Sequence, residues 1–253
     1  MSLLSKKDRP PFQLLAGKRE QPWVLLGDHA GSFFPVKTKQ LSLSLADRER
    51  HITYDLGIKA LLERLFILTG ATILIGNYSR LVIDLNRPLS YADSVTLQSD
   101  GIPIPGNQHL TEINRRERQE EIFWPYHRAI EATLKNLLGH GLKPKIMSLH
   151  SFCCQLNGQE KRPWHAGVLW NKDDRLAGKL LNFLKGKTEW HIGDNQPYSG
   201  QDPCSFTLPF HAEPLYLPQV LLEIRQDMLE SAAQVEDWAL LLADFINEAD
   251  PVN

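Results

Sequence analysis

The chain has 253 residues, of which 42% are hydrophobic and 23% are charged, as is typical of a soluble globular protein. Because 28 Lys and Arg residues oppose 30 Asp and Glu residues, the net charge of −2 excludes a bulk electrostatic attraction to nucleic acid or to an anionic membrane. Three cysteines cannot form a disulfide framework, which favours reduced thiols and the cytoplasm. The sequence shows no membrane-span pattern and no signal-peptide pattern, so we expect neither.

In chain order, short apolar runs alternate with segments of helical periodicity. Residues 1–12, which contain Pro10 and Pro11, predict a flexible N-terminal arm. The apolar runs predict strands at residues 23–26, 71–75, 81–85, 145–149, 167–170 and 220–224. The periodic segments predict helices at residues 47–69, 110–138, 174–184 and 235–248, the first capped by Asp47 and ended by Gly70, the second started at Thr111 and kinked at Pro125. Residues 88–107 predict a long surface loop that could be mobile.

This alternation predicts an α/β fold with a mixed or mainly parallel sheet, and a single domain over residues 1–253. In such sheets, reactive side chains lie at the carboxyl ends of the strands. Four of the predicted strands carry polar residues at or near that end. These residues are Asp28 and His29, then Asn86 and Arg87, then His150, and finally Glu223 and Arg225.

Two of these strand ends carry a histidine, which predicts a metal site. His29 and His150 each follow an apolar run directly, and a catalytic zinc takes three protein ligands and leaves one position open. The third ligand is sought on the helix predicted at residues 47–69, where His51 and Asp55 lie four residues apart on one face. We favour Asp55 as the ligand and His51 as the residue that orients it, although the reverse assignment stays open.

Charged residues within apolar runs are the other candidates. Glu223 lies inside the run 221–225, and a buried carboxylate is costly unless it is paired or used. It is either paired with Arg225 on the same strand face or a general base. Arg80, Asn86 and Arg87 flank the run 81–85. The arginines either form salt bridges with Asp84 or Asp93, or bind an anionic substrate through paired hydrogen bonds.

Six motifs occur in order along the chain and together resemble one known family. They are GDHAG at residues 27–31, HxxxDxG at 51–57, SRLVIDLNRP at 79–88, LHSF at 149–152, DNQPYS at 194–199 and EIRQD at 223–227. The chain resembles the N-formylglutamate amidohydrolase family, which comprises zinc hydrolases related in fold to metallocarboxypeptidases and aspartoacylases. The resemblance spans about residues 23–245.

The resemblance implies a fold and a role for each matched residue. The implied fold is phosphorylase/hydrolase-like, with three αβα layers around a mixed, mainly parallel sheet. The implied reaction is hydrolysis of the amide of an N-acyl amino acid. The roles are zinc ligation by His29 and His150, substrate recognition by Asn86 and Arg87, polarisation of the scissile carbonyl by Arg80, and proton transfer by Glu223.

Two departures from the pattern matter. The related enzymes use His-x-x-Glu for two zinc ligands, whereas Ser32 follows His29 at that spacing, so that Asp55 is the nearest replacement by motif. The family also tends to carry Gly-Gly-Tyr after Pro-Tyr-Ser, whereas Ser199 is followed here by Gly200, Gln201 and Asp202. The second departure leaves open whether formylglutamate itself is the substrate.

The resulting hypothesis is a zinc amidohydrolase acting on a small molecule such as N-formylglutamate, with no nucleic-acid or membrane partner. Zinc is held by His29, Asp55 and His150, although cobalt, manganese or iron suits the same ligands. The substrate carboxylate is held by Asn86, Arg87 and Arg225, and the rest of the pocket is lined by Asn195, Tyr198 and His211. The alternatives are a carboxypeptidase-like peptidase, which an open cleft beside residues 88–107 would favour, and a degenerate carboxylate-binding protein.

Overall fold

The computed structural model describes residues 2–249 and contains a central sheet of seven strands and a separate two-stranded hairpin. The strands are β1 (Phe12–Leu15), β2 (Trp23–Gly27), β3 (Thr72–Gly76), β4 (Gln98–Ser99), β5 (Ile102–Pro103), β6 (Lys145–Phe152), β7 (Ala166–Leu169), β8 (Ile192–Asp194) and β9 (Gln219–Arg225). The helices are α1 (Leu45–Arg48), α2 (Ile58–Thr69), α3 (Glu112–Arg118), α4 (Trp124–Gly139), α5 (Arg175–Lys187), α6 (Thr207–His211) and α7 (Ala232–Glu248).

The strand order in the large sheet is β1-β3-β2-β6-β9-β7-β8. Strands β3, β2, β6 and β9 run parallel to one another, and β7 runs parallel to β8. The pairings β1–β3 and β7–β9 are antiparallel. The prediction of a mixed, mainly parallel sheet is therefore confirmed.

Side chains alternate between two apolar cores, one on each face of the sheet. Along β2, Trp23 and Leu25 enter the core formed with α2, α5 and α7, whereas Val24 and Leu26 enter the core formed with α4. A strand that is covered on both faces has a continuous apolar sequence, which is why these strands could be predicted from sequence. Helices on both faces make the three layers that the family resemblance implied.

The strand predicted at residues 81–85 is wrong, because this apolar run is a buried irregular segment. Its leucine, valine and isoleucine side chains fill the second core. Several of its carbonyls are satisfied by side chains instead of by a neighbouring strand. The carbonyls of Leu81, Val82 and Leu85 form hydrogen bonds with Asn107, Arg118 and His127 at 2.8, 2.7 and 3.0 Å.

The helix predicted at residues 47–69 begins too early. Helix α1 ends at Arg48 and its cap is Ser44 rather than Asp47, and residues 49–57 form turns before α2 starts. Gly57 precedes α2 with a φ of 80°, and Gly70 ends α2 in the left-handed region as predicted. The backbone N–H of Asp55 donates to the carbonyl of His29 at 2.8 Å, and this hydrogen bond attaches the turns at 49–57 to the loop after β2.

The helix predicted at residues 110–138 is present, starts at a Thr111 cap, and contains a π-helical turn at Gln119–Phe123 just before Pro125. The segment predicted as a flexible arm lies against this helix, because the Glu121 carboxylate accepts hydrogen bonds from the backbone N–H groups of Leu3 and Leu4.

The long loop predicted at residues 88–107 carries the β4–β5 hairpin. Within residues 2–249, no helix has the length and hydropathy needed to cross a membrane.

Candidate active site

Two histidines and one aspartate converge at the carboxyl ends of β2 and β6. His29 follows β2, His150 lies within β6, and Asp55 lies in the turn before α2. All three side chains are buried, and one potential ligand atom from each lies within 4.8 Å of the others. Gly31 lets the loop after β2 pack against the chain just after β3, since a Cβ there would lie 2.3 Å from the backbone of Asn77.

The outer nitrogen of each imidazole is held by a carboxylate or a hydroxyl. Nε2 of His29 lies 2.6 Å from Oδ1 of Asp84, and Nε2 of His150 lies 3.1 Å from Oγ of Ser148 and 3.3 Å from Oδ2 of Asp28. Because carboxylates accept hydrogen bonds, Nε2 of His29 donates to Asp84, and Nδ1 of both rings faces Asp55, at 3.7 Å for His29 and 2.9 Å for His150. Carboxylates orient metal-binding histidines in the same way.

The carboxylates around His29 and His150 favour a positive charge at this site. Burial opposes the charge on His150, but its hydrogen bonds with Asp28 and Asp55 raise its pKa to about 10. Burial likewise opposes ionisation of Asp55, but the two histidines hold its pKa well below the usual range. Nδ1 of His29 is buried and has no hydrogen-bond partner among the described residues. The buried group His29–Asp55–His150 can therefore hold a metal ion.

The roles of Asp28 and Asp84 in supporting the two histidines were not predicted from sequence. Asp28 is 1% exposed and accepts hydrogen bonds from the hydroxyls of Tyr126, at 2.7 Å, and Ser148, at 3.2 Å. Asp84 accepts from Nη2 of Arg80 at 3.0 Å and from the backbone N–H of Asn86 at 2.9 Å. An aspartate inside the apolar run 81–85 was the available signal, because a buried carboxylate requires partners.

Glu223 is placed beside the histidines by the register of the sheet. The β6–β9 ladder pairs His150 with Glu223, and the β7–β9 ladder places Gly167 on the other side. The Glu223 side chain is buried, one of its carboxylate oxygens has no hydrogen-bond partner in the described part of the chain, and burial raises its pKa to about 7. The alternative pairing with Arg225 is not formed, because Nε of Arg225 donates to Asp227 at 2.7 Å.

The irregular segment after β3 supplies three further polar side chains. Arg80 bridges two carboxylates, with nitrogens 3.0 Å from Asp84 and 3.6 Å from Asp55. Oδ1 of Asn86 accepts from two backbone N–H groups of the segment that leads into α6, so its amide nitrogen is free to donate elsewhere. Arg87 donates one hydrogen bond to the carbonyl of Cys204 at 3.1 Å.

These side chains surround an inner cavity of about 160 Å³. Eight of the residues named from sequence line it, namely His29, Asp55, Arg80, Asn86, Arg87, His150, Tyr198 and Glu223. The hydroxyl of Tyr198 accepts a hydrogen bond from Nη1 of Arg162 at 2.9 Å. Since arginine only donates, the Tyr198 hydroxyl keeps its own proton for another acceptor.

Four other residues named from sequence do not line the inner cavity, and two of them are His51 and Arg225. His51 lies 3.7 Å from Asp100 and is not among the hydrogen-bond partners of Asp55 in the described chain, because the turns at 49–57 replace the helix that would have aligned the two residues. Arg225 is engaged by Asp227 and by the carbonyl of Trp164.

Asn195 and His211 were expected to line the pocket but hold its surroundings together. Oδ1 of Asn195 accepts from the backbone N–H groups of Trp170 and Gly200, each at 3.0 Å. Nε2 of His211 lies 2.9 Å from Nδ1 of His127, whose Nε2 lies 3.0 Å from the carbonyl of Leu85, the residue before Asn86.

The N-formylglutamate amidohydrolase family model matches residues 21–229 of the chain. The crystal structure of the gene product Atu2144 from Agrobacterium tumefaciens is 28% identical, with a TM-score of 0.92, covering 98% of this chain and 97% of that one. The N-formylglutamate amidohydrolase from Ralstonia eutropha JMP134 shares the fold at 21% identity, with a TM-score of 0.73, covering 95% of this chain and 100% of that one. No curated protein sequence matches.

Proposed function

The chain belongs to the N-formylglutamate amidohydrolase family, and we propose on this premise that it is a zinc hydrolase of N-acyl amino acids such as N-formylglutamate. The family indicates a hydrolase that acts on amide bonds. The zinc ion and the substrate are our proposal. The observation that carries it is the buried His29–Asp55–His150 group with the Glu223 carboxyl beside it in the same cavity.

The donor set fits a zinc ion. Nδ1 of His29, Nδ1 of His150 and the Asp55 carboxylate would hold it, and the outer nitrogens of both rings are already anchored. When bound, such a cation supplies positive charge that polarises a carbonyl and makes water more acidic. Three protein ligands leave an open position, as in catalytic rather than structural sites. The same nitrogen and oxygen ligands also suit cobalt, manganese or iron.

Glu223 is the proposed proton carrier. A carboxyl whose pKa is about 7 both accepts and returns a proton near neutral pH. In the proposed reaction, water attacks the acyl carbon and Glu223 takes up one of its protons. The carbon–nitrogen bond then breaks, and Glu223 delivers that proton to the leaving amine, which yields a carboxylate and a free amino acid.

The arginines and Asn86 are the proposed substrate contacts. Arg80 is held by Asp84 and Asp55, and its guanidinium is the proposed contact for the negative charge that develops on the acyl oxygen. The free amide nitrogen of Asn86 and the uncommitted donors of Arg87 are suited to a carboxylate. The free proton of Tyr198 is suited to a further substrate oxygen.

Two features bear on the remaining expectations. The alternative of a degenerate carboxylate-binding protein is disfavoured, because such a protein would need neither the anchored histidines nor a buried, unpaired glutamate. The three cysteines are free thiols, which supports the cytoplasm as the proposed location.

The test is direct. The purified protein, reconstituted with zinc, is incubated with N-formylglutamate, and the released glutamate is measured. Release that a chelator abolishes and that added zinc restores supports the proposal. Chelator-insensitive release contradicts the metal role, and the absence of release from every N-acyl amino acid offered contradicts the hydrolase assignment.

A further inference from the structure

A second, larger chamber adjoins the inner cavity. It has a volume of about 760 Å³ and shares Arg80, Arg87 and Tyr198 with the inner cavity. Its other walls come mainly from the turns at 49–57 and from the long loop that carries the β4–β5 hairpin. The two spaces therefore form one path that passes between the side chains proposed to contact the substrate.

The distribution of polar groups gives the substrate a direction along this path. Asn86 and Glu223 line the inner cavity and are absent from the outer walls in the part of the chain that the structure describes. The inner cavity is also lined by Leu169 and Leu221. If the amino-acid carboxylate is held by Asn86, the leaving amino acid lies inward and the acyl group faces the outer chamber.

The outer chamber is far larger than a formyl group requires. A formyl group adds only one carbon and one oxygen to the amine, which is far less than the outer chamber can hold. At about 760 Å³ the outer chamber lies within the usual range for small-molecule sites, which is about 300–1,000 Å³. Its size suits an acyl group of several residues.

The lining of the chamber suits a peptide rather than a fatty acyl chain or an anion. The long loop and the residue after it contribute neutral polar side chains to the lining, namely Thr96, Gln98, Ser99 and Gln108, beside the apolar side chains of Ala92, Leu97 and Pro103. Two of the three aspartates that line the chamber are already engaged, and the third is Asp93. Asp84 is held by His29 and Arg80, and Asp100 is held by Arg50 at 2.8 Å and by the backbone of Asn157 at 2.9 Å.

The hairpin that walls the chamber is held in place. The two Asp100 contacts join the hairpin turn to the turns after α1 and to the loop after β6. Nε2 of His51, 3.7 Å from Asp100, is buried on this wall and has no hydrogen-bond partner among residues 2–249.

We infer that the acyl group removed by this enzyme is a short peptidyl chain that occupies the outer chamber, so that the enzyme releases a carboxy-terminal amino acid from small peptides. The inference rests on the proposed function. The peptide carbon–nitrogen bond breaks, water supplies the new oxygen of the peptidyl carboxylate, and the amine nitrogen receives the proton.

The experiment compares a graded series with one leaving group. N-formylglutamate, N-acetylglutamate, N-acetylglycylglutamate and N-acetylglycylglycylglutamate are offered to the zinc-reconstituted protein, and kcat/KM is measured for each. Because remote binding energy raises kcat/KM, we expect an increase of about tenfold or more from the formyl to the longest substrate. Affinity for the same series, measured by calorimetry with Glu223→Gln, should rise in the same order.

A chamber-filling variant locates the effect. Ala92 is exposed and lines the outer chamber, so Ala92→Trp should lower the ratio of kcat/KM for the longest over the formyl substrate by about tenfold. The matched control, Ala233→Trp on the exposed start of α7, should leave that ratio unchanged. Cleavage of N-formylglutamate with no gain on extension overturns the inference and leaves the proposed function standing. Cleavage of no member overturns both.

Discussion

The inner cavity has two kinds of wall, one built on strands and one built on irregular chain. His150 and Glu223 stand side by side on β6 and β9, where the ladder fixes their spacing. Arg80, Asn86 and Arg87 come from a buried segment without strand pairing. The first wall is positioned by backbone hydrogen bonds between neighbouring strands. The second is positioned by long-range hydrogen bonds from side chains to its backbone.

The difference shows how a buried segment can avoid secondary structure. The irregular wall buries its apolar side chains in the second core. Three of its carbonyls form hydrogen bonds with the side chains of Asn107, Arg118 and His127. A buried polar backbone group left without a partner is costly, so these side chains are required for the wall to exist. The first three substitutions below affect one wall or the support of its side chains, and the fourth affects Tyr198, which lines both cavities.

The largest expected effect is on catalysis by the strand wall. Glu223→Gln keeps the shape of the side chain but removes its proton exchange, and we expect kcat to fall about 10²–10⁴-fold with zinc content unchanged. Steady-state release of amino acid and metal analysis measure both quantities. Glu189→Gln, at an exposed position, is the control. Turnover within a few-fold of the wild type would remove Glu223 from the mechanism.

The next effect is on the stability of the irregular wall. Arg118 is 3% exposed and donates to the carbonyl of Val82 and to Oδ1 of Asn107, each at 2.7 Å. Arg118→Met leaves both acceptors unpaired, and we expect the free energy of unfolding to fall by about 2–4 kcal/mol. Urea denaturation measures this. Arg116→Met, on the exposed face of α3, should change it by less than about 0.5 kcal/mol. Equal effects from the two variants would show that the wall does not depend on Arg118.

A smaller effect concerns the orientation of the metal ligands by the irregular wall. Asp84→Asn removes the charge beside Nε2 of His29, and we expect zinc affinity to fall about 10–100-fold. Competition with a chelating dye reports the affinity. The exposed Asp237→Asn on α7 is the control. Unchanged affinity would mean that His29 does not rely on Asp84 for its orientation.

The smallest effect concerns the cavity mouth. Tyr198→Phe removes the hydroxyl that receives the Arg162 hydrogen bond and offers its own proton to the cavity. One lost hydrogen bond corresponds to a KM increase of about 2–10-fold. The control is Tyr216→Phe, at a side chain that is 85% exposed. A fall in kcat with KM unchanged would instead give Tyr198 a role in the transition state.

The strand wall could be predicted from sequence, and the irregular wall could be predicted only in part. His29, His150 and Glu223 follow or interrupt continuous apolar runs, which is a local signal. The run 81–85 gives the same signal but is not a strand, because its partners Asn107, Arg118 and His127 are distant in sequence. His51 failed as a partner of Asp55 for a related reason. The sequence pattern predicted one continuous helix through residues 49–57. In the structure these residues form turns, and the backbone of Asp55 is hydrogen-bonded to the loop after β2.

The most direct test of the central claim is the zinc content of the purified protein. The wild type, His150→Ala and the exposed His140→Ala are each loaded with zinc, dialysed and analysed for metal. The buried cluster predicts one zinc per chain in the wild type and in His140→Ala, and almost none in His150→Ala. No retained zinc in the wild type, or equal zinc in His150→Ala, would contradict the assignment of His29, Asp55 and His150 as the metal site.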